Sequence, residues 1–299
     1  MKKDFCPTRL SKEDLVNIEK PLLLDAFLFY NEIDLLKARL EYLGPLVDKF
    51  IISEANVDFS GAKKDFFLND DLIRKLPFNG KIIYQREFIN LFSPKWLFKK
   101  LKYLRRRKSY LWKIQDAQRN AILKSLRQYS PNDILIFGDL DEFPSEYAIN
   151  QSKKILLAMQ KNASSPEIYS CEQQFFYYNV HNCAVHGGYL GTAITSVRFA
   201  RKIQLHKIRS DKDRFSTIKN GGWHFSYFLN ETDIAKKIAA ICEVENLDSY
   251  KQITNAEISE KRRSGIDLFN RDIPLDSSGK AFIPDSLMAI LKQYLPNCT

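Results

Sequence analysis

The sequence has only five cysteines, and no two of them form a Cys-x-x-Cys pair. An odd, dispersed set of this kind predicts reduced thiols rather than a disulfide framework. The chain also lacks an apolar run approaching the roughly 20 residues that span a bilayer, and no apolar segment follows its N-terminal lysines. The sequence therefore predicts neither a membrane span nor secretion, and we expect a cytoplasmic protein.

Histidine is scarce as well, with four in 299 residues. His181, Cys183 and His186 lie close together, but no fourth ligand with finger-like spacing accompanies them, so a strand-to-loop passage is favoured over a zinc site. No internal repeat or low-complexity linker divides the chain. A hydrophobic content of 44% allows a sizeable core, either in one large domain or in a domain with a smaller appendage.

Acidic residues are missing from the segment between Lys95 and Lys113, although the chain carries a net charge of +10. Nine lysines and arginines alternate there with apolar and aromatic residues. Basic and aromatic residues mixed in this way suit an anionic membrane surface, to which the protein would bind peripherally at the inner face. Nucleic acid is a weaker alternative. A solvated basic face whose apolar residues belong to the core is the structural alternative.

Apolar runs alternate with helical patterns along the first half of the chain, which predicts an α/β fold with a mainly parallel central sheet flanked by helices. The predicted strands are residues 22–30, 49–55, 81–87 and 134–138, with strand-rich stretches at 167–180 and 191–200. Helices are predicted at 146–161 and 231–247. Residues 255–280 are polar and predict a loop-rich C-terminal extension.

We expect residues 1–250 to form the main domain, with a nucleotide half at about 20–145, an acceptor half at 146–250, and residues 251–299 packing on it as an extension.

The most informative stretch is the apolar run from Ile134 to Gly138, which ends in Asp139, Asp141 and Glu142. The carboxyl ends of buried parallel strands open onto the crevice where ligands bind. If the strand turns at Leu140, both aspartates can converge on one hard cation. Mg²⁺ or Mn²⁺ held by such a pair keeps positions open for phosphate oxygens, so the pattern predicts a nucleotide diphosphate as ligand.

Two other strand ends carry acids. Asn31 and Glu32 follow the first predicted strand, where a nucleotide would lie, and Glu54 ends the second. Later, Gly221-Gly222-Trp223-His224 combines glycines that permit close approach of a ligand with an imidazole competent as a third Mn²⁺ ligand. A packed, hydrogen-bonded histidine is the structural alternative for His224.

Taken in order, these motifs resemble glycosyltransferase family 17, the family of the β-1,4-mannosyl-glycoprotein β-1,4-N-acetylglucosaminyltransferase. The matching stretches run from Phe29-Tyr-Asn31-Glu32 through Arg39, Val47–Asn56, Gln118-Arg119-Asn120 and Asp139–Pro144 to Gly221–Ser226. The resemblance implies a GT-A-like fold, a nucleotide-sugar donor, a metal at Asp139 and Asp141, and inverting transfer. It also matches Glu32, Arg39 and Glu54 to the first two strand edges.

The expected function is metal-dependent transfer of a sugar from a UDP-sugar to the hydroxyl of a glycan or glycolipid acceptor, with GlcNAc favoured by analogy. The chain lacks the signal-anchor and stem of eukaryotic members, so we expect an enzyme of surface-glycan synthesis. Inversion needs a general base; Glu172 is the first candidate, followed by Asp213 and Glu142. Arg119 is expected to offset phosphate charge.

Two rival functions use the same residues differently. A metal-dependent nucleotidyltransferase or phosphohydrolase would use the acids on a nucleotide without moving a sugar. A non-catalytic module would bind membrane or RNA through residues 95–113 and would not need Asp139. Loss of turnover in Asp139→Asn separates the enzymes from the module, and assays of sugar-nucleotide hydrolysis with and without acceptors separate the two enzymes.

Overall fold

The parallel half of a mixed β-sheet places the ends of its strands along one edge. The computed structural model describes residues 20–103, 105, 107–159, 168–185, 188–240, 252–271, 273–276 and 282–299. Strands β1 (Leu23–Leu28), β2 (Lys49–Ala55), β3 (Ile82–Glu87) and β4 (Ile134–Asp139) lie in the order β4-β1-β2-β3, all parallel. Leu28 pairs with both Ser53 and Asp139, so the residues that follow β1, β2 and β4 meet at this edge.

The other half of the sheet is built mostly from antiparallel strands. Beyond β4 the order continues β8-β6-β7-β10, and β9 pairs with β5 and, in parallel, with β6. The ranges are β5 Glu142–Pro144, β6 Ile168–Tyr177, β7 Cys183–Ala184, β8 Tyr189–Ser196, β9 Ser216–Ser226 and β10 Leu275–Asp276. The short β5 therefore joins the end of β4 to β9.

Helices cover both faces of the sheet because its strands are apolar on both sides. The helices are α1 Ile33–Leu43, α2 Asp70–Arg74, α3 Pro94–Lys102, α4 Arg107–Leu126, α5 Glu146–Met159, α6 Val197–Ile203, α7 Leu205–Ser210, α8 Glu231–Ala240, α9 Asn255–Arg263 and α10 Asp285–Tyr294. Leu23 and Phe27 of β1 pack in a cluster with α1, α5 and α10, whereas Leu24 and Ala26 pack with α4, α6 and α7. The architecture confirms the expected fold class.

Two local expectations were wrong. The stretch predicted to be strand-rich to residue 200 turns into α6 at Val197, because the Ser196 side chain caps the helix by accepting a hydrogen bond from the Phe199 amide. Within the polar extension, Asn255–Arg263 is helical, and Thr254 and Glu257 form a capping box at its start.

The predicted ends of the helices at 160–161 and 241–247 lie outside the described residues. None of the described helices is long and apolar enough to cross a membrane.

Candidate active site

The acid pair lies at a turn between two strands. β4 ends at Asp139, residues 140 and 141 turn, and β5 begins at Glu142. The Asp139 amide donates a hydrogen bond to Glu142 Oε2 at 3.1 Å, and the Phe225 amide donates to the Asp141 carbonyl at 2.8 Å. Asp139 is 32% exposed and Asp141 12%. The backbone therefore holds both carboxylates at the sheet edge, as the apolar run predicted.

Arg39 lies beneath this turn rather than in the cleft. Its guanidinium is fully buried and donates to both oxygens of Asp25, at 2.8 and 2.7 Å. Its third nitrogen donates to the carbonyls of Glu142 at 2.6 Å and Leu140 at 3.2 Å. The sequence placed Arg39 among the donor-binding residues, but the structure gives it the task of fixing the turn that carries the acids.

Two arginines neutralise Asp139. Arg209 of α7 donates to Asp139 Oδ2 at 2.6 Å and to the Tyr189 hydroxyl at 3.0 Å, and its other terminal nitrogen lies 2.7 Å from Glu142 Oε1. Arg119 of α4 is 3.6 Å from Asp139 Oδ1. Burial by itself would raise the pKa of Asp139, but Arg209 and Arg119 hold it below its usual value.

A lysine from α8 neutralises the second aspartate. Lys237 Nζ lies 3.0 Å from Glu32 Oε1 and 3.3 Å from Asp141 Oδ2. Burial would lower the pKa of Lys237, but these two carboxylates raise it above its ordinary value. Burial would likewise raise the pKa of Asp141, and Lys237 and His224 lower it instead. Glu32 thus joins the acid pair through Lys237, which the sequence did not predict.

His224 lies directly beside Asp141. β5 and β9 pair Glu142 with His224, which brings His224 Nε2 to 3.4 Å from Asp141 Oδ1. Its ring packs against Tyr189 and Phe175, with centroid distances of 4.3 and 5.0 Å. Its Nδ1 is buried and has no hydrogen-bond partner among the described residues. The packed ring agrees with the structural alternative, and Nε2, beside Asp141, is the ring nitrogen that faces the acid pair.

The predicted metal ligands are brought together only in part. Within the described ranges, no three His, Cys, Asp or Glu side chains are arranged as a metal site. Asp141 and His224 are in contact, whereas Asp139 is turned toward Arg209. The donors fit Mn²⁺ or Mg²⁺ chemically, since carboxylate oxygens and a neutral imidazole are ligands that Mn²⁺ accepts. Among the described residues, however, the His224 Nδ1 lacks the second hydrogen bond that usually orients a metal-binding histidine.

Glu54 and Gly222, both predicted to contact the donor, serve the backbone instead. Glu54 is fully buried and accepts hydrogen bonds from the amides of Phe67 and Leu68, at 2.7 and 3.2 Å. Gly222 has φ +134°, and a Cβ there would lie 2.0 Å from the Phe143 carbonyl oxygen. The glycine therefore permits the close approach of β9 to β5.

The three candidate bases differ in their surroundings. Glu142 is fully buried against Arg209. Glu172 of β6 is partly exposed and packs against Gly188, and its side chain makes no hydrogen bond or ion pair within the part of the chain that the structure describes. Asp213 is exposed, next to Lys212, whose ammonium lies 4.0 Å from the centre of the Tyr189 ring. Glu142 is therefore engaged by Arg209, whereas no ion pair engages the Glu172 or Asp213 carboxylate in the part of the chain that the structure describes.

Arg209, Lys237 and Tyr189 are the functional side chains that sequence reasoning missed. The only signal for Arg209 and Lys237 was their place on short helices after the metal motif, in a chain with 46 lysines and arginines. The expectation that Asn31 contacts the donor stays a prediction. Its backbone amide donates to Glu32 Oε2 at 3.3 Å, and its side-chain Oδ1 is buried with no partner among the described residues.

The chain matches the model of glycosyltransferase family 17 over residues 14–282. No curated protein matches it. A solved structure of glucosyl-3-phosphoglycerate synthase from Mycobacterium tuberculosis, in complex with Mn²⁺, uridine diphosphate and phosphoglyceric acid, is 14% identical, with a TM-score of 0.34, over 75% of this chain and 80% of that chain. Mannose-6-phosphate isomerase from Helicobacter pylori is 12% identical, with a TM-score of 0.31, over 64% of this chain and 79% of that chain. Because the family model spans most of the sequence, the chain belongs to glycosyltransferase family 17.

Proposed function

We propose that the protein transfers a sugar, with inversion, from a UDP-sugar to a hydroxyl of a surface glycan, and that it needs a divalent cation. The observation that carries this proposal is the charge of the site. Four carboxylates, Glu32, Asp139, Asp141 and Glu142, are in ion-pair contact with three side-chain cations, Arg119, Arg209 and Lys237. Lys212 also lowers the pKa of Asp139, so the carboxylates and cations of the site balance one another. They leave no net positive charge to meet a diphosphate unless a cation enters with it.

The chain's own residues would bind and orient the donor. Asp139, the more exposed acid, and Asp141 with His224 would hold the metal, which when bound supplies positive charge to the leaving diphosphate. Arg119 and Arg209 already contact Asp139, so they lie where they can also donate to phosphate oxygens. Lys237 would remain as a fixed positive charge between Glu32 and Asp141.

For the proton of the acceptor hydroxyl, we propose Glu172. An inverting transfer needs a base on the face of the sugar opposite the leaving group. Glu172 is partly exposed and has no cation holding its carboxylate in the described structure, whereas Glu142 is tied to Arg209. Asp213 is the second choice, because it is exposed and follows Lys212, whose ammonium lies against the Tyr189 ring.

The test measures donor binding and products together. Calorimetric titration with UDP-, GDP- and CMP-sugars is carried out with Mn²⁺ and with EDTA, and the products of each reaction are separated by chromatography. We expect binding of one UDP-sugar that requires the metal and is lost in Asp139→Ala/Asp141→Ala. Asp71→Ala, which removes an acid that is 84% exposed, is the matched control and should bind as the wild type does.

Two results would overturn the proposal. Donor binding that is equally tight with Mn²⁺ and with EDTA would show that the site does not need a metal. Release of UMP or inorganic phosphate in place of UDP and a transferred sugar would identify a phosphohydrolase. If Glu172→Gln binds the donor normally and also turns over as fast as the wild type, Glu172 is not the base. That result would leave the rest of the proposal intact.

A further inference from the structure

Helix α3 carries an exposed apolar face. Phe98 and Leu101 are each 69% exposed, Leu97 is 44% exposed, and Phe92, two residues before the helix, is 86% exposed. Single exposed apolar residues are ordinary on protein surfaces, but four within ten consecutive residues form a patch. Such a patch is typical of a surface that binds a partner.

The patch is firmly attached to the fold. Trp96, in the same helix, is buried in a small cluster with Ala55, Val57, Ile89 and Ile114, and its ring packs edge-on against Tyr110. Because Trp96 anchors one side of α3, the outward direction of Phe98 and Leu101 is fixed by packing. Phe98 and Leu101 are therefore surface residues, not core residues exposed by local unfolding.

Positive charge surrounds the patch. Lys95, Lys100, Lys102 and Arg105 are exposed, and no ion pair joins the lysines of α3 to an acid in the described ranges. Lys99 lies 4.4 Å from the centre of the Trp96 ring, and burial, Lys95 and Lys113 together lower its pKa. A second copy of this face would meet it with charge of the same sign, which disfavours self-association through α3.

Behind the patch, a cavity of about 740 Å³ opens between α3, α4 and the ends of β2 and β3. Phe92 and Leu97 of the patch form part of the cavity wall, together with the neighbouring Lys100 and with Val57 and Leu111. Along α4, Leu111 lies eight residues before Arg119, or about 12 Å at the usual rise of a helix. The patch thus borders a mostly apolar space on the same helix, α4, that carries Arg119.

We propose that the α3 patch, defined as Phe92, Leu97, Phe98 and Leu101 with Lys95, Lys100 and Lys102, docks the protein on a bilayer of anionic phospholipid. Aliphatic and aromatic side chains enter the interface while lysines meet the headgroups. Nucleic acid fits less well, since binding of single strands uses aromatic rings on which bases stack, and half of these apolar side chains are leucines. If the proposed function holds, docking brings the enzyme to a surface that carries lipid-linked acceptors.

The experiment is flotation of the full-length protein with vesicles of phosphatidylcholine, with or without phosphatidylglycerol. We expect binding only to the anionic vesicles, weakened by salt. Phe98→Ser/Leu101→Ser should lower the partition coefficient at least about tenfold. Lys95→Gln/Lys100→Gln/Lys102→Gln should lower it by roughly fivefold per lysine.

Matched variants keep the test sharp. Phe282→Ser removes a ring that is 70% exposed away from α3, and Lys75→Gln/Lys219→Gln/Lys292→Gln removes three exposed lysines elsewhere; both should bind vesicles as the wild type does. Equal binding to neutral vesicles, equal loss in the control variants, or RNA binding that replaces vesicle binding would overturn the proposal. Donor binding, measured without vesicles, reports on the proposed function separately, so either proposal can fail alone.

Discussion

Removing the guanidinium of Arg39 should destabilise the protein far more than removing an exposed arginine. Arg39 and Asp25 are both fully buried and share two hydrogen bonds of 2.7 and 2.8 Å. Arg39 also lies 4.7 Å from the centre of the Phe27 ring. The variant Arg39→Met keeps most of the apolar volume but leaves the Asp25 carboxylate unpaired in the core.

The expected cost follows from that unpaired charge. Breaking a buried ion pair by removing one partner typically costs about 3–5 kcal/mol. The carbonyls of Leu140 and Glu142 also lose their donor, which adds about 1 kcal/mol or more. In contrast, Arg74 pairs with Asp71 at the surface, with side chains 71% and 84% exposed. Arg74→Met should therefore cost no more than about 1 kcal/mol.

Urea unfolding followed by circular dichroism measures both variants. A double variant, Arg39→Met/Asp25→Asn, completes the cycle and should regain part of the loss, because the buried charge is gone. Donor binding should also weaken in Arg39→Met, since the turn that carries Asp139 loses its support. A cost equal to that of Arg74→Met, or a double variant less stable than Arg39→Met, would refute the reasoning.

Three further outcomes follow from the structure. Gly222→Ala should lower the free energy of unfolding by at least about 2 kcal/mol, because a Cβ at φ +134° would lie 2.0 Å from the Phe143 carbonyl oxygen; a thermal melt unchanged from the wild type would contradict this. Lys237→Met should bind Mn²⁺ roughly tenfold or more tightly by calorimetry, since its ammonium competes with a cation at Asp141, and unchanged affinity would argue against competition. Burial raises the pKa of Tyr42 from 10.0 to about 12, so its contribution to stability is complete below pH 10 and is lost as the pH rises through 12. Between pH 10 and pH 12, the free energy of unfolding in urea should therefore fall less for Tyr42→Phe than for the wild type. An equal fall would show that Tyr42 does not cause it.

Much of the sheet was predictable because β1, β2 and β4 are buried on both faces. The strand predicted at 49–55 is the observed β2, and β1, β3 and β4 lie inside or within one residue of their predicted ranges. Continuous apolar runs bounded by polar residues leave few alternatives to a parallel strand. Predictions failed where a capping side chain decides the structure, as Ser196 does at the start of α6 and Thr254 at the start of α9.

The residues that surround the acids were harder to predict than the acids themselves. Asp139 and Asp141 follow a strand, so local pattern locates them. Arg209 reaches Asp139 across 70 positions and Lys237 reaches Asp141 across 96. Such contacts depend on how α7 and α8 pack, and Leu205 with Ile208 and Ile234 with Ile238 supply that packing as ordinary apolar pairs.

The same reasoning explains why the roles of Glu32 and Arg39 were assigned too simply. Glu32 follows the first strand and Arg39 lies in the first helix, in the order that the family shares. Their importance was therefore visible in the sequence. Whether an ionisable side chain meets a ligand or another side chain depends on burial, which sequence order does not give. Arg39 is fully buried beneath the turn, while Glu32 reaches the acid pair through Lys237. A site motif therefore includes residues that bind a ligand and residues that position other side chains. The charges around each acid distinguish these two kinds of residue.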